Sequence, residues 1–187
     1  MTADADEEIA LRVQEGSKEA FGELVDRYGD KLSRYARKFL FGGDDIEDLV
    51  QEVFIKAYSN IQSFDVSRKF SSWIYRIAHN EFINAGKKRQ RANVFSFDLD
   101  VILPQFTAKE TADSEAERRE MREMLDSSLA ALDEKYREPL VLYFFEDLDY
   151  KDIADVLHVP ISTVGVRLAR GKSILRRLVS EKHRHNL

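Results

Sequence analysis

Between Asp152 and Lys172 the chain reads DIADVLHVPISTVGVRLARGK, a stretch whose second half mixes small apolar residues with cations. If that second half is a helix, its outward residues are Thr163, Val166, Arg167, Arg170 and Lys172. Arginine pairs bidentately with guanine, lysine supplies charge to phosphates, and valine can meet a thymine methyl. A second set stands earlier, where Arg76, Asn80 and Asn84 recur at steps of four and are followed by Lys87, Lys88, Arg89 and Arg91. Asparagine amides suit exposed base edges, and the trailing cations suit a phosphate backbone. Both sets point to chemistry of recognition rather than of bond making.

The elements that must position these residues follow from the apolar spacing. Asp149 is placed to cap a helix whose buried edge is Ile153, Ala154 and Leu157. HVPI then breaks the pattern, and Ser162 is placed to cap a second helix buried along Val164, Leu168 and Leu175. This is the pattern of a helix-turn-helix, in which the second helix enters the major groove. Two ordinary packed helices would leave the same pattern, and Gly165 and Ala169 leave few side chains for base contact. His158 occupies the turn position where glycine is common, because glycine takes positive φ at the least cost.

Upstream, Phe21, Leu24, Val25, Tyr28, Leu32, Tyr35, Ala36 and Phe39 recur with helical period until FGG at 41–43. Ile46, Leu49, Val50, Val53, Phe54 and Ala57 share one face of the next helix, and a third is expected from Ser71 or Ser72 through WIYRIAHNEFINAGKKRQ, with Trp73, Ile74 and Ile77 inward. Residues 94–115 carry no sustained apolar stripe and read as a linker, long for the interior of one compact domain. Helical spacing resumes near Glu117 with Met121, Met124, Leu125, Leu129 and Leu132, after which Asp133 can cap a helix through YREPLVLYFFE. The expectation is an all-α chain of two small helical domains joined by a flexible linker.

Composition narrows the function classes. The 187 residues include no cysteine, which excludes disulfide frameworks, thiolate zinc sites and cysteine nucleophiles and fits a cytoplasmic setting. The start lacks the basic and apolar flanks of a secretion signal, and the longest apolar run, LVLYFF, is too short to span a bilayer, so no membrane insertion is expected. The net charge of -5 hides two basic blocks: residues 61–95 hold seven bases against two acids, and residues 161–187 seven against one. Those blocks coincide with the two candidate sets, as expected of a protein that grips an anion at two points. There is no GxxxxGK loop and no HExxH, and His183 and His185 read as part of a tail. No catalytic residue, metal or cofactor is therefore expected.

Taken in order, DDIEDLVQEVFIKAYSNIQSFD, FSSWIYRIAHNEFINAGKKRQR, a linker and LAALDEKYREPLVLYFFEDLDYKDIADVLHVPISTVGVRLARGK resemble a bacterial RNA polymerase sigma factor of the extracytoplasmic-function (ECF) group of the sigma-70 family. The resemblance spans Phe21 to Arg91 and about Leu125 to Leu178. It implies a region 2 domain over residues 1–93 that binds core polymerase and reads and melts the minus-10 element. Residues 94–115 would be the linker, and residues 116–187 a region 4 domain reading the minus-35 element through Ser162, Thr163, Val166, Arg167, Arg170 and Lys172. By the same resemblance Asp48, Gln51 and Glu52 would meet the clamp helices of the β′ subunit, and the β flap would be a further polymerase contact. Phe64 and Phe70 would lie where a flipped minus-10 base is captured, beside Arg76, Asn80, Asn84, Lys87, Lys88, Arg89 and Arg91. An anti-sigma factor is the implied regulatory partner. Gly165 and Gly86 depart from the family pattern. The competing reading is a stand-alone helix-turn-helix regulator of duplex DNA, which would leave the first block without a role.

Overall fold

A computed structural model of the chain describes residues 5–39, 46–90 and 115–185, which form eight α-helices and one 3-10 turn, with no strand among the described residues. The chain divides into two compact units: the first holds α1 to α4, the second α5, α6, α8 and most of α7. The all-α expectation holds.

In the first unit α1 (Asp6–Gln14), α2 (Lys18–Phe39), α3 (Ile46–Asn60), the 3-10 turn Ile61–Ser63 and α4 (Phe70–Gln90) wrap one core. α2 is its axis, packing on α1, α3 and α4. Most of the expected stripe is inside: Leu24, Tyr28, Leu32, Tyr35 and Ala36 are buried against Phe70, Ile74, Tyr75, Ala78 and Phe82 of α4, while Phe21 and Val25 are half-buried and the Phe39 side chain lies outside what is described. Tyr28 meets Phe70 at 5.4 Å, and Tyr35 meets Tyr75 at 5.4 Å and Phe82 at 5.6 Å between ring centroids, in edge or tilted contacts. Such pairs add ~0.5–1.5 kcal/mol each beyond the area they bury. Tyr28 also donates its hydroxyl hydrogen bond to Asp6 Oδ2 at 2.6 Å. Burial first, then that bond, raises the phenol well above its ordinary range.

The spacing does not predict helix α1. Ile9, Ala10 and Val13 bury its short apolar edge, and Asp6 ties it to α2 through Arg27 at 2.6 Å. It ends in a Schellman cap: Gly16 takes φ 108°, Ser17 N–H donates to Arg12 O and Gly16 N–H to Val13 O, both at 3.0 Å.

In the second unit α5 (Glu115–Ala130) and α6 (Glu134–Phe144) pack against the long α8 (Ile161–His185), and α7 (Tyr150–Leu157) precedes it through a tight turn. Asp133 and Asp149 cap α6 and α7 as expected, accepting from Lys135 N–H at 3.1 Å and Asp152 N–H at 2.8 Å. The turn after α7 is again a Schellman cap, with Val159 N–H donating to Ala154 O at 3.1 Å and His158 at φ 52°. The conformation that glycine would take freely is held here by a histidine, at the cost of crowding its Cβ. α8 begins at Ile161, with the Pro160 carbonyl accepting from Thr163 and Val164, so Ser162 lies inside the first turn rather than before it.

The crossing of α6 and α8 is close at Gly171. A Cβ added there would stand 3.0 Å from Leu140 Cδ1 and 3.1 Å from the Tyr136 carbonyl oxygen, whereas at Gly165 the nearest atom is Tyr150 Cε2 at 3.7 Å. Gly171→Ala is therefore expected to destabilise the protein by ~1–3 kcal/mol through forced separation of the helices. Gly165→Ala is expected to be neutral or to add up to ~1 kcal/mol through helix propensity. Urea unfolding midpoints of the two variants check this, and equal shifts would contradict it.

Candidate nucleic-acid interface

Helix α4 has two faces because its inward residues are apolar, several of them aromatic. With Trp73, Ile74, Tyr75, Ala78 and Phe82 buried, the helical period leaves Asn80 and Asn84 exposed and Arg76 half-buried along an outer line. The structure thus brings Arg76, Asn80 and Asn84 together as spaced. Lys87, Lys88 and Arg89 follow in the last turns of α4, their side chains outside what is described, and Arg91 lies outside the described residues together with the linker up to residue 114.

Phe64 and Phe70, which the resemblance sets where a flipped base is captured, turn their rings inward. Phe64 is 5% exposed and Phe70 fully buried, and with Trp73 they form a three-ring cluster with centroids 5.2–5.6 Å apart. What lies open is the loop between them. Residues 65–69 are all exposed, and Asp65 Oδ1 closes the loop by accepting from Ser67 N–H at 2.9 Å and Ser67 Oγ at 2.7 Å. Those hydrogen bonds, the hydroxyl first, hold the Asp65 carboxyl below its ordinary range. α4 starts at Phe70, one residue before the earlier of the two serine caps expected, because Glu7 of α1 accepts from Phe70 N–H at 2.8 Å.

On α3, Asp48, Gln51 and Glu52 are exposed on one side of the helix, opposite buried Val50, Val53, Phe54 and Ala57. Lys56 bridges this patch to α4, lying 3.6 Å from Glu52 and 2.6 Å from Glu81. Ile55, at 59% exposure, stands beside it as an uncovered apolar side chain.

On α8 the buried edge is Val164, Leu168, Gly171 and Leu175. Ser162, Val166 and Arg170 are exposed, and Thr163 and Arg167 half-buried. Lys172 leaves this group: nine residues on from Thr163, it sits two and a half turns away on the other flank, its ammonium 5.9 Å from the centre of the Phe144 ring.

Behind the α8 face lies Glu138 of α6, only 7% exposed. Burial first, then the hydrogen bond and charge of Glu134, pushes its carboxyl up to about 8, while Arg137 and Arg167 oppose the rise. Near neutral pH Glu138 is mostly uncharged, so it does not neutralise the Arg167 guanidinium.

The comparisons with known proteins divide in the same way. The profile of Sigma-70 region 2 matches residues 24–92 and that of Sigma-70, region 4 matches residues 122–175. The ECF RNA polymerase sigma factor SigW of Bacillus subtilis is 34% identical over 172 residues, covering 89% of this chain and 92% of that protein. This chain belongs to the ECF sigma factors of the sigma-70 family. The ECF RNA polymerase sigma-E factor of Haemophilus influenzae is similar at 31% identity over 176 residues, 91% of this chain and 93% of its own. The solved structure of CnrH in complex with the cytosolic domain of CnrY matches with a TM-score of 0.73 and 28% identity, over 95% of this chain and 99% of that one. Sigma factors are, as a class, transcription initiation factors rather than enzymes. Among the described residues no helix is long and apolar enough to cross a membrane, and no group of three or more His, Asp or Glu could hold a metal ion.

The spacing did not reveal Glu7 and Gln14 of α1, which hold the two ends of the exposed loop: Glu7 accepts from Phe70 N–H, and the Gln14 amide donates to the Ile61 and Phe64 carbonyls. The Ile9, Ala10, Val13 step followed by Gly16 was the available signal for their helix. Their bonds to residues 61–70 leave no periodic trace.

The raised Glu138 carboxyl has a pH consequence. Its folded-state value lies above its ordinary 4.5, so the stability it contributes is full below that value and is lost as pH rises through about 8. Between pH 5.5 and 8.5 that loss is on the order of 2–3 kcal/mol. Glu138→Gln is expected to remove this part of the decline in urea unfolding across the range. An unchanged slope in the variant would contradict the burial argument.

Proposed function

We propose that this ECF sigma factor binds core RNA polymerase and directs promoter-specific initiation, α8 reading the minus-35 element and α4 with the 65–69 loop reading and melting the minus-10 element. In this reading residues 1–93 form the region 2 domain and residues 116–187 the region 4 domain, joined by residues 94–115. The observation that carries it is the two-faced α4, whose outer line of Arg76, Asn80 and Asn84 is backed by a buried inner edge built on Trp73, Tyr75 and Phe82. Two amides and a cation along one fixed helix face suit base edges and phosphates. A stand-alone helix-turn-helix regulator would leave this second surface, on a different unit from α8, without a role.

Asn80 and Asn84 contact bases of the melted strand, and Arg76, Lys87, Lys88, Arg89 and Arg91 hold its phosphates. Phe64 and Phe70 act from within, as the buried floor of the loop that receives the extruded base. A base held by stacking contributes ~1–3 kcal/mol, which helps offset unpairing without ATP. On α8, Thr163, Val166, Arg167 and Arg170 face the major groove, with Ser162 and Lys172 at the phosphates. Asp48, Gln51 and Glu52 form an acidic and amide patch suited to the β′ clamp helices, and the second unit meets the β flap. An anti-sigma factor is the regulatory partner; the similar CnrH is itself known in complex with the cytosolic domain of CnrY.

Core polymerase supplemented with this protein is expected to start transcripts at a subset of a promoter library with no hydrolysable ATP required for opening. No product from any member would overturn the reading. Arg170→Ala is expected to cost ~1–3 kcal/mol of discrimination at one minus-35 position if it pairs with a base, whereas a phosphate role lowers affinity equally on all sequences. Competition binding with single-base promoter variants distinguishes the two, and no effect in either would remove Arg170 from the interface.

A further inference from the structure

Helix α1 holds the exposed 65–69 loop at both ends. At the entry, the Gln14 side-chain amide donates to the carbonyls of Ile61 at 2.7 Å and Phe64 at 2.8 Å, and the Gln62 amide donates back to the Gln14 carbonyl at 2.9 Å. At the exit, Glu7 accepts from Phe70 N–H at 2.8 Å and so caps α4 from another helix. The loop is closed on itself between these anchors by Asp65 with Ser67, and by Arg68 N–H donating to Asp65 O at 2.9 Å. α1 is in turn fixed to α2 through Asp6, which binds both Arg27 and Tyr28 at 2.6 Å, and through buried Ile9, Ala10 and Val13.

The chemistry of the two anchors is specific. A primary amide offers two N–H groups from one nitrogen, so Gln14 can satisfy two carbonyls at once, and a carboxylate in its place would face them with oxygen. A loop left to itself would have to lose conformational entropy when a ligand arrives, and one already ordered does not. The span it presents is short and exposed, and it is floored by the Phe64, Phe70 and Trp73 rings.

We infer that Gln14 and Glu7 are positioning residues for minus-10 recognition, holding the 65–69 loop in the shape that receives an unpaired base before the DNA arrives. The inference rests on the minus-10 reading proposed above and adds to it that base capture depends on α1, which need not touch the DNA.

The test uses the full chain assembled with core polymerase and pre-melted promoter fragments in which each minus-10 position is made abasic in turn. In the wild-type protein at least one position is expected to show an affinity loss of about tenfold when its base is removed. In Gln14→Leu that loss should shrink below roughly threefold at the same position, while the penalty for minus-35 mismatches stays as in the wild type. Glu7→Gln, which still offers an oxygen to Phe70 N–H, should keep the abasic penalty, and Glu7→Ala should lose it. If Gln14→Leu is unfolded by circular dichroism, Gln14→Glu and the Glu7 pair carry the same comparison. A tenfold penalty that survives in Gln14→Leu and Glu7→Ala overturns the inference alone. It is equally overturned if these variants bind every fragment more weakly while keeping the ratio, since that is the mark of a merely structural role. A wild-type protein with no penalty at any position overturns the minus-10 reading itself.

Discussion

The contact between the aromatic edges of α2 and α4 fixes the first unit. Tyr28 and Tyr35 on one helix meet Phe70, Tyr75 and Phe82 on the other, all within the core and none in a face-to-face stack. Rings that interlock edge to face resist both sliding and rotation, since either would open voids beside several side chains at once. A helix that cannot rotate has a fixed outer line. The exposure of Asn80 and Asn84 is thus a consequence of where the tyrosines sit, and the base reading proposed for their amides depends on their not being free to turn.

The second unit reaches a comparable rigidity by different means. Its core is aliphatic, and α6 and α8 approach closely because Gly171 has no side chain to hold them apart. Two aspartate caps and a Schellman turn define where α6 and α7 start and where α8 enters. The face that results is sparse. With Lys172 drawn to Phe144, the residues left on one side are Ser162, Thr163, Val166, Arg167 and Arg170, of which two are cations. So small a reading surface suits a protein whose affinity for DNA is shared with a polymerase and a second element, more than one that binds duplex DNA unaided.

Most of the fold was legible in the sequence, because long helices write their buried faces as period. The stripes of α2, α3 and α8, the caps at Asp133 and Asp149 and the unusual His158 all follow from local chemistry and appear as expected. α1 escaped because four apolar residues in nine, with Leu11 on the exposed side, give little periodic signal beside an acidic start. The beginning of α4 was misplaced for a different reason: its cap is Glu7, some sixty residues away, while Ser71 and Ser72 imitate a local one. The candidate site was legible in its faces and not in its depths. The resemblance singles out Phe64 and Phe70, but only packing decides that their rings turn inward on Trp73 and leave the loop between them exposed. Lys172 shows the same limit in reverse, since spacing groups it with the outward residues of α8 while the turn count and the Phe144 ring set it on the other flank of the helix.

A fixed amide line on α4, an ordered loop beside it and a sparse α8 face all serve one proposed act, the opening of promoter DNA in partnership with core polymerase. Permanganate reactivity of thymines across a cognate promoter reports that act, with core polymerase and this protein added separately and together. Reactive thymines within and just downstream of the minus-10 element, appearing only when both are present and without ATP hydrolysis, are the expected result. Tight binding of the protein alone to duplex promoter DNA, with no reactive thymine when core polymerase is added, would contradict it.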